Sequence, residues 1–172
     1  MQLRDLSQTL LSTPLGKVVA MASERGLCLL TFQENKSFIQ KRLTDHYPLH
    51  RFGRAHQRVI ENTKAWLADY FAKKFTQLEP PPFDLQGTGF TINAWRQLLR
   101  VPIGNTLSYG ALAKTMGTPK AVRAVGRAMG QNPIVLLIPC HRIIGSDGTL
   151  TGFSCGLDRK IWLLKHEGLL IQ

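Results

Sequence analysis

The stretch Leu107–Pro133, "LSYGALAKTMGTPKAVRAVGRAMGQNP", decides the fold. Ser108 is of the residue type that caps helices, and the residues after it predict a short helix through Met116. Gly117 supplies a helix stop, and Pro119 suits the first turn of a second helix running to about Gly130. Two short helices joined by a glycine-containing turn predict a helix-turn-helix. Many helical corners share that pattern, so the surface of the second helix has to discriminate. Ala121, Ala124, Gly126, Ala128 and Gly130 are small, while Lys120, Arg123 and Arg127 are basic. Arg123 and Arg127 lie one turn apart and share a face. Small residues allow close approach to a narrow groove, whereas a helix reading bases in the wide groove usually carries long polar side chains. The expectation is a helix in the minor groove of DNA, with weak sequence preference.

The charge around this stretch agrees. The chain has 172 residues, with 22 Lys+Arg against 11 Asp+Glu and a net charge of +11. No acid occurs from Gln86 to Ser146, a segment that carries Arg96, Arg100, Lys114, Lys120, Arg123, Arg127 and Arg142. A one-signed stretch in a foldable sequence predicts a positive surface, for which a phosphate backbone is the natural partner. A composition 44% hydrophobic fits a globular chain. No apolar run approaches the roughly 18 residues of a membrane span, and the opening stretch does not read as a signal peptide. The cytoplasm is the default compartment, with no membrane partner. Cys28, Cys140 and Cys155 are too few and too scattered for a disulfide framework, and there is no C-x-x-C. Any cysteine chemistry rests on single thiols.

Further out, "GKVVAMAS" and "GLCLLTFQ" predict a β-hairpin with Gly26 at its turn. Val59, Ile60, Trp66, Leu67, Tyr70 and Phe71 predict one face of a helix between His56 and Lys74. Three consecutive prolines and a glycine pair come next. The expected organisation is therefore an N-terminal domain at 1–80, a linker at 81–89 and a C-terminal domain at 90–172. In the second half Thr91 can cap a helix with Ile92, Trp95, Leu98 and Leu99 inward, ended by Pro102. A buried run "IVLLI" delivers "PCHR", a glycine-rich loop succeeds it, and "LDRKIWLLKHEG" closes as a helix whose charges suit its dipole.

The chemistry lies at Pro139-Cys140-His141-Arg142. A thiol reacts as thiolate, and at an ordinary pKa little of it is thiolate at neutral pH, so a base or a positive environment is needed. His141 is adjacent, but neighbours on an extended chain point to opposite sides, so contact requires a backbone turn or a relaying water. A base also needs an orienting carboxylate. The second half offers only Asp147, Asp158 and Glu167, and Glu167, ending the last helix, is the best candidate. Zinc is disfavoured, because adjacent Cys and His chelate poorly and no compact set of four ligands exists.

"IPCHRIIGSDGTLTGF" with "RKIWLLKHEG", "SYGALA" and "RAVGRAMGQNP" closely resembles O6-alkylguanine-DNA alkyltransferases over about Phe90 to Leu169. "TPLGKVVAMAS" resembles the family more loosely. The resemblance implies an α+β fold: a small ribonuclease H-like α/β domain, then a mostly helical, winged-helix-like domain containing the helix-turn-helix. It implies single-turnover repair of double-stranded DNA, in which a flipped O6-alkylguanine, or O4-alkylthymine, gives its alkyl group to Cys140. His141, through a water, and Glu167 would lower the thiol pKa. Tyr109 would serve the guanine N3, and Asn132 would brace the segment before the cysteine. Carbonyls at Cys140 and Ile143 would accept from the exocyclic amine, and the Ser154 N–H would reach O6. Met129, Phe153 and Cys155 would line the pocket. Arg123 would replace the flipped base in the stack, with Lys120, Ala121, Ala124, Arg127 and Arg142 along the DNA. The implied protein is a monomer able to bind DNA cooperatively.

Independently, a soft sulfur suits an alkyl carbon, no cofactor motif is visible, and a thioether has no easy hydrolysis route. The protein should be consumed. Some relatives hold zinc in the N-terminal domain, but Asp5 and Ser23 stand where thiol ligands would be needed, so neither metal nor cofactor is expected. Phe153 replaces a common tyrosine, and Cys155 a frequent glycine. Cys155 could narrow the pocket against bulky adducts or restrict a backbone that glycine frees. Two other readings compete. A non-enzymatic helix-turn-helix sensor or regulator explains the charge but gives Cys140, His141 and Glu167 no task. A cysteine hydrolase explains the thiol but lacks an oxyanion motif.

Overall fold

The computed structural model describes residues 3–171, which divide into two compact units, one ending at Gln86 and the next beginning at Gly87. The opening stretch, of which Met1 and Gln2 lie outside the described residues, becomes strand β1 (Arg4–Thr13). β2 (Gly16–Ser23) and β3 (Gly26–Phe32) form the expected hairpin, and Gly26 takes φ 138°. Helix α1 (Lys36–His46) is followed by β4 (His50–Gly53), which pairs parallel to β1, giving the order β3-β2-β1-β4. Alternation on β2 sends Val19 and Met21 to one face, where they meet Leu43 and Tyr47 with Phe38 and Ile39 of α1 packed alongside. Helix α2 (Gln57–Phe71) packs on β1, β2 and β3 and buries Ile60, Trp66, Leu67 and Tyr70. Covered on both faces, β3 is buried throughout.

The stretch expected as a linker at 81–89 is divided. Leu27 donates its N–H to the Pro82 carbonyl, and Asp84 donates to the Leu27 carbonyl, so this segment adds a parallel bridge to β3. Proline tolerates the position because only its carbonyl is used. A Cβ on Gly26 would lie 2.2 Å from the Pro82 oxygen, so that glycine serves both the turn and this close approach.

In the second unit α3 (Gly89–Leu98) is capped by Thr88, whose oxygen accepts from the Thr91 N–H. The sequence pattern predicts the cap at Thr91 instead. The helix begins one turn earlier, so Thr91 is buried within it and Leu99 lies outside it, exposed. A two-residue strand, β5 (Leu107–Ser108), leads into α4 (Tyr109–Thr115), where Ser108 accepts from Ala111 N–H as a cap. Gly117 takes φ 72° at the helix stop, and α5 (Val122–Gly130) comes after it. Pro119 falls before α5, not in its first turn. α3, α4 and α5 pack together, and the buried Trp95 indole N–H donates to the Ala128 carbonyl at 2.9 Å. The chain then passes through the turn at Cys140–Arg142, β6 (Ile143–Ile144) and α6 (Leu157–His166). No helix of the described residues is long and apolar enough to cross a membrane.

Candidate active site

The run from Ile134 to Ile138 is buried, as expected, but it is turned rather than extended. Leu136 adopts φ 73°, a left-handed conformation that costs a leucine roughly 1–2 kcal/mol. Asn132 holds the turn from inside. Its Oδ1 accepts from Ile134 N–H at 3.0 Å, and its Nδ2 donates to the Ile138 carbonyl at 2.8 Å. The same Nδ2 donates to Cys140 Sγ at 3.0 Å. Strain in the backbone and a hydrogen bond to the sulfur thus depend on one buried amide.

Cys140 opens a 3-10 turn, so it and His141 are not neighbours on an extended chain. His141 is fully buried and directs Nε2 at Glu167 Oε1, 2.8 Å away. Its Nδ1 is buried and has no hydrogen-bond partner among the described residues. Glu167, the C-cap of α6, is buried as well. Burial alone would raise its carboxyl, but hydrogen bonds from His141 and Arg142 outweigh that and hold it at about 2. Burial pushes the His141 imidazole below its ordinary value against the pull of Glu167.

Arg142 is a correction to the expected DNA surface. Its place in a basic run points outward, yet it is only 7% exposed. Its Nε donates to Glu167 Oε2 at 2.8 Å, its NH2 to Oε1 at 2.9 Å and its NH1 to the Val101 carbonyl at 2.6 Å. Lys160 is a residue that sequence reasoning misses. It is fully buried, and its Nζ donates to the carbonyls of Ile143 and Thr151, tying the loop after the cysteine to the turn that holds it. Its spacing within α6 is the only signal, and a lysine there reads as a solvated face. Burial pushes the Cys140 thiol up to about 12, with the Asn132 hydrogen bond and the Lys160 charge pulling the other way.

The parallel pairing of Leu107 with Ile143 and of Ser108 with Ile144 lays Tyr109 beside this turn. The Tyr109 hydroxyl donates to the Gly152 carbonyl at 3.2 Å, and Gly152 takes φ 66° there. Phe153 packs edge-on to His141 at 6.5 Å, Ser154 is exposed and Cys155 is buried. Cys155 needs no left-handed backbone. The glycines Gly152 and Gly156 take those conformations (φ 66° and 96°), so the restriction considered for Cys155 does not arise. Met129 and Ala128 are buried on the inner face of α5. Lys120, Arg123 and Arg127 are exposed and make no ion pair among the described residues. Asp5 is ion-paired with Arg51, and Ser23 donates to Asp84.

A helix-turn-helix in the same unit as a buried, hydrogen-bonded cysteine defines a nucleophile-bearing protein of the DNA-binding helical class. The first unit matches the ribonuclease-like domain of 6-O-methylguanine DNA methyltransferase over residues 6–85, and the second its DNA-binding domain over 89–169. The chain belongs to this family. It is 37% identical to the methylated-DNA--protein-cysteine methyltransferase of Salmonella typhimurium, over 94% of this chain and 95% of the relative. It is 38% identical to that of Methanosarcina acetivorans, over 91% and 94%. The crystal structure of Mycobacterium tuberculosis OGT in complex with DNA is similar over 95% of this chain and 92% of that one, at 34% identity and a TM-score of 0.77.

Proposed function

We propose that this chain repairs double-stranded DNA by taking the alkyl group of O6-alkylguanine, and of O4-alkylthymine, onto Cys140 in a single irreversible turnover. The observation that carries the reading is the buried Cys140 sulfur, hydrogen-bonded by Asn132 and followed in its turn by a histidine on a buried carboxylate. In the step, the thiol proton passes to His141 Nδ1 through a water, and the sulfur electron pair forms a bond to the alkyl carbon. The carbon–O6 bond breaks, its electrons remain on the base, and the proton taken from sulfur restores neutral guanine. Tyr109 supports the leaving base at N3. Carbonyls of Cys140 and Ile143 receive the exocyclic amine, and the Ser154 N–H meets O6. The product thioether has no route back to thiol, which makes the protein a reagent consumed by its reaction.

The outer face of α5 supports DNA binding in the minor groove. Arg123 and Arg127 are exposed along it and Lys120 just before it, and a Cβ on Gly126 or Gly130 would meet nothing within 4 Å. Glycine inside an exposed helix costs about 1 kcal/mol against alanine, and no internal packing requires it at these positions. Close approach of an outside partner does. Arg123 fills the stack vacated by the flipped base. The protein acts in the cytoplasm as a monomer, without metal or cofactor. Cys155 narrows the pocket, so methyl adducts react faster than benzyl adducts, and Cys155→Gly reduces that rate ratio.

Incubation with duplex DNA containing O6-methylguanine, with intact mass and peptide mapping afterwards, tests the reading. One methyl per protein on the Cys140 peptide, absent in Cys140→Ser, is the expected result. Intact DNA binding with no mass gain would instead favour a non-enzymatic damage sensor.

A further inference from the structure

Among the described residues Glu167 is the only carboxylate that touches His141, and Arg142, buried against it, donates to both of its oxygens. We propose that Arg142 is a positioning residue that keeps His141 a neutral imidazole, with Nε2–H donated to Glu167 and the Nδ1 lone pair open to accept the thiol proton. The inference rests on Cys140 being the alkyl acceptor and adds how its base is kept ready.

Buried charge decides the matter. The groups facing His141 are Glu167 and Lys160, brought by α6 and its cap, and Cys140 and Arg142 from its own turn. A buried carboxylate alone beside a histidine would draw a proton onto the ring, because the resulting ion pair is neutral overall. Here Arg142 has already neutralised Glu167 through paired, charge-assisted hydrogen bonds. Protonating His141 from solvent would then leave two uncompensated cations, His141 and Lys160, in a buried site. Proton transfer from the Cys140 thiol adds no net charge, because the cation on the ring forms together with an anion on sulfur. Arg142 therefore closes the route to imidazolium from bulk water and leaves open the one from the thiol. It also shares Glu167 Oε1 with His141 Nε2–H, which fixes the tautomer. The unpartnered, buried Nδ1 is the atom that this arrangement leaves free.

The test reads the His141 ring by long-range proton–nitrogen NMR in uniformly 15N-labelled protein, assigned with His141→Gln. In the wild type the Nε2–H neutral tautomer should be present at neutral pH and persist below the pH at which an ordinary histidine becomes charged. In Arg142→Gln the ring should become charged at neutral pH, and the acid limb of the alkyl-transfer rate should move up by about one pH unit or more. Arg142→Lys, which keeps the charge, should return the ring to neutral. An imidazolium in the wild type at neutral pH overturns the proposal, as does an unchanged ring titration in folded Arg142→Gln. If Arg142→Gln does not fold, the wild-type spectrum decides alone. The ring state is measured on the free protein, so failure of alkyl transfer to O6-methylguanine DNA would overturn the parent reading without touching this result.

Discussion

Each unit of the protein buries a carboxylate beside a buried cysteine, and the two arrangements differ in what donates to the carboxylate. In the first unit Asp84 accepts from three neutral donors: Ser23 Oγ at 2.6 Å, Tyr47 OH at 2.9 Å and Gln86 Nε2 at 2.6 Å. Among the described residues no cation donates a hydrogen bond to it, and nearby Cys28, whose thiol donates to the Met21 carbonyl, is pushed up to about 12 by burial, with Asp84 adding to the rise and a Tyr47 hydrogen bond and the Arg42 charge pulling the other way. In the second unit Glu167 is neutralised by Arg142, and a histidine shares it. Cys140 reaches the same value of about 12, yet its sulfur accepts a hydrogen bond and has a lysine nearby. Equal resting pKa values therefore describe two different thiols. Cys28 donates its own proton to a carbonyl and has a buried carboxylate beside it, whereas the Cys140 sulfur accepts from a buried amide and has no carboxylate among the groups that shift it. The Asp84 cluster fastens the segment after Pro82 to the sheet, and the Glu167 cluster prepares a reaction.

The largest test of that contrast exchanges the thiols' fates. Cys140→Ser should abolish methyl uptake from O6-methylguanine DNA, and Cys28→Ser should leave one methyl per protein, read by intact mass. Methylation of Cys28 in the Cys140→Ser protein would break the comparison.

The carboxylates give the next test. Glu167 is held at about 2 against its ordinary 4.5, so it contributes stability that is fully present above 4.5 and lost as pH falls toward 2. The amount is on the order of 3 kcal/mol. Urea unfolding at stepped pH should show that loss in the wild type, and Glu167→Gln should flatten it. The same variant should slow methyl transfer about 100-fold, the lower range for a positioned base. Asp84→Asn should destabilise the protein by about 1–2 kcal/mol and leave the transfer rate unchanged. Equal effects of the two variants on transfer would show that the clusters do not divide the work as described.

Much of this is legible in the sequence because it rests on residue type and local spacing. Ser108, Gly117 and the basic α5 announce the helix-turn-helix, and a cysteine followed by histidine, with one late glutamate, announces the reacting group. The hidden part depends on tertiary burial. Arg142 sits in a run of surface cations, and its partner Glu167 is 25 residues away, so nothing local marks it as internal. The same holds for Asp84 and Pro82, where the prolines advertise a linker while the Pro82 carbonyl completes a sheet edge. The left-handed Leu136 is invisible for another reason: leucine is the wrong residue for that conformation, and it is held by Asn132's contacts and by backbone hydrogen bonds across the turn.

The smallest effect concerns the buried or half-buried cation beside each cluster. Arg42 donates through NH2 to the Gln86 carbonyl at 3.1 Å and reaches His46, so it is structural support for the first cluster. Lys160 also binds carbonyls, but its charge faces Cys140, and burial pushes its pKa down to about 8. The charge that favours the thiolate is therefore present below about 8 and is lost as pH rises through that value, while direct loss of the thiol proton to solvent rises with pH. The two trends oppose each other, so the wild-type transfer rate should level off above about pH 8 instead of rising with pH. Lys160→Met keeps the length of the side chain, removes both carbonyl contacts and the charge, and should slow transfer about tenfold, equivalent to one pH unit on the thiol. Its rate should keep rising where the wild type levels off. Arg42→Met should lower thermal stability and change neither the rate nor its pH profile. A plateau that survives in Lys160→Met would assign the levelling to another group and reduce Lys160 to the structural role that Arg42 has.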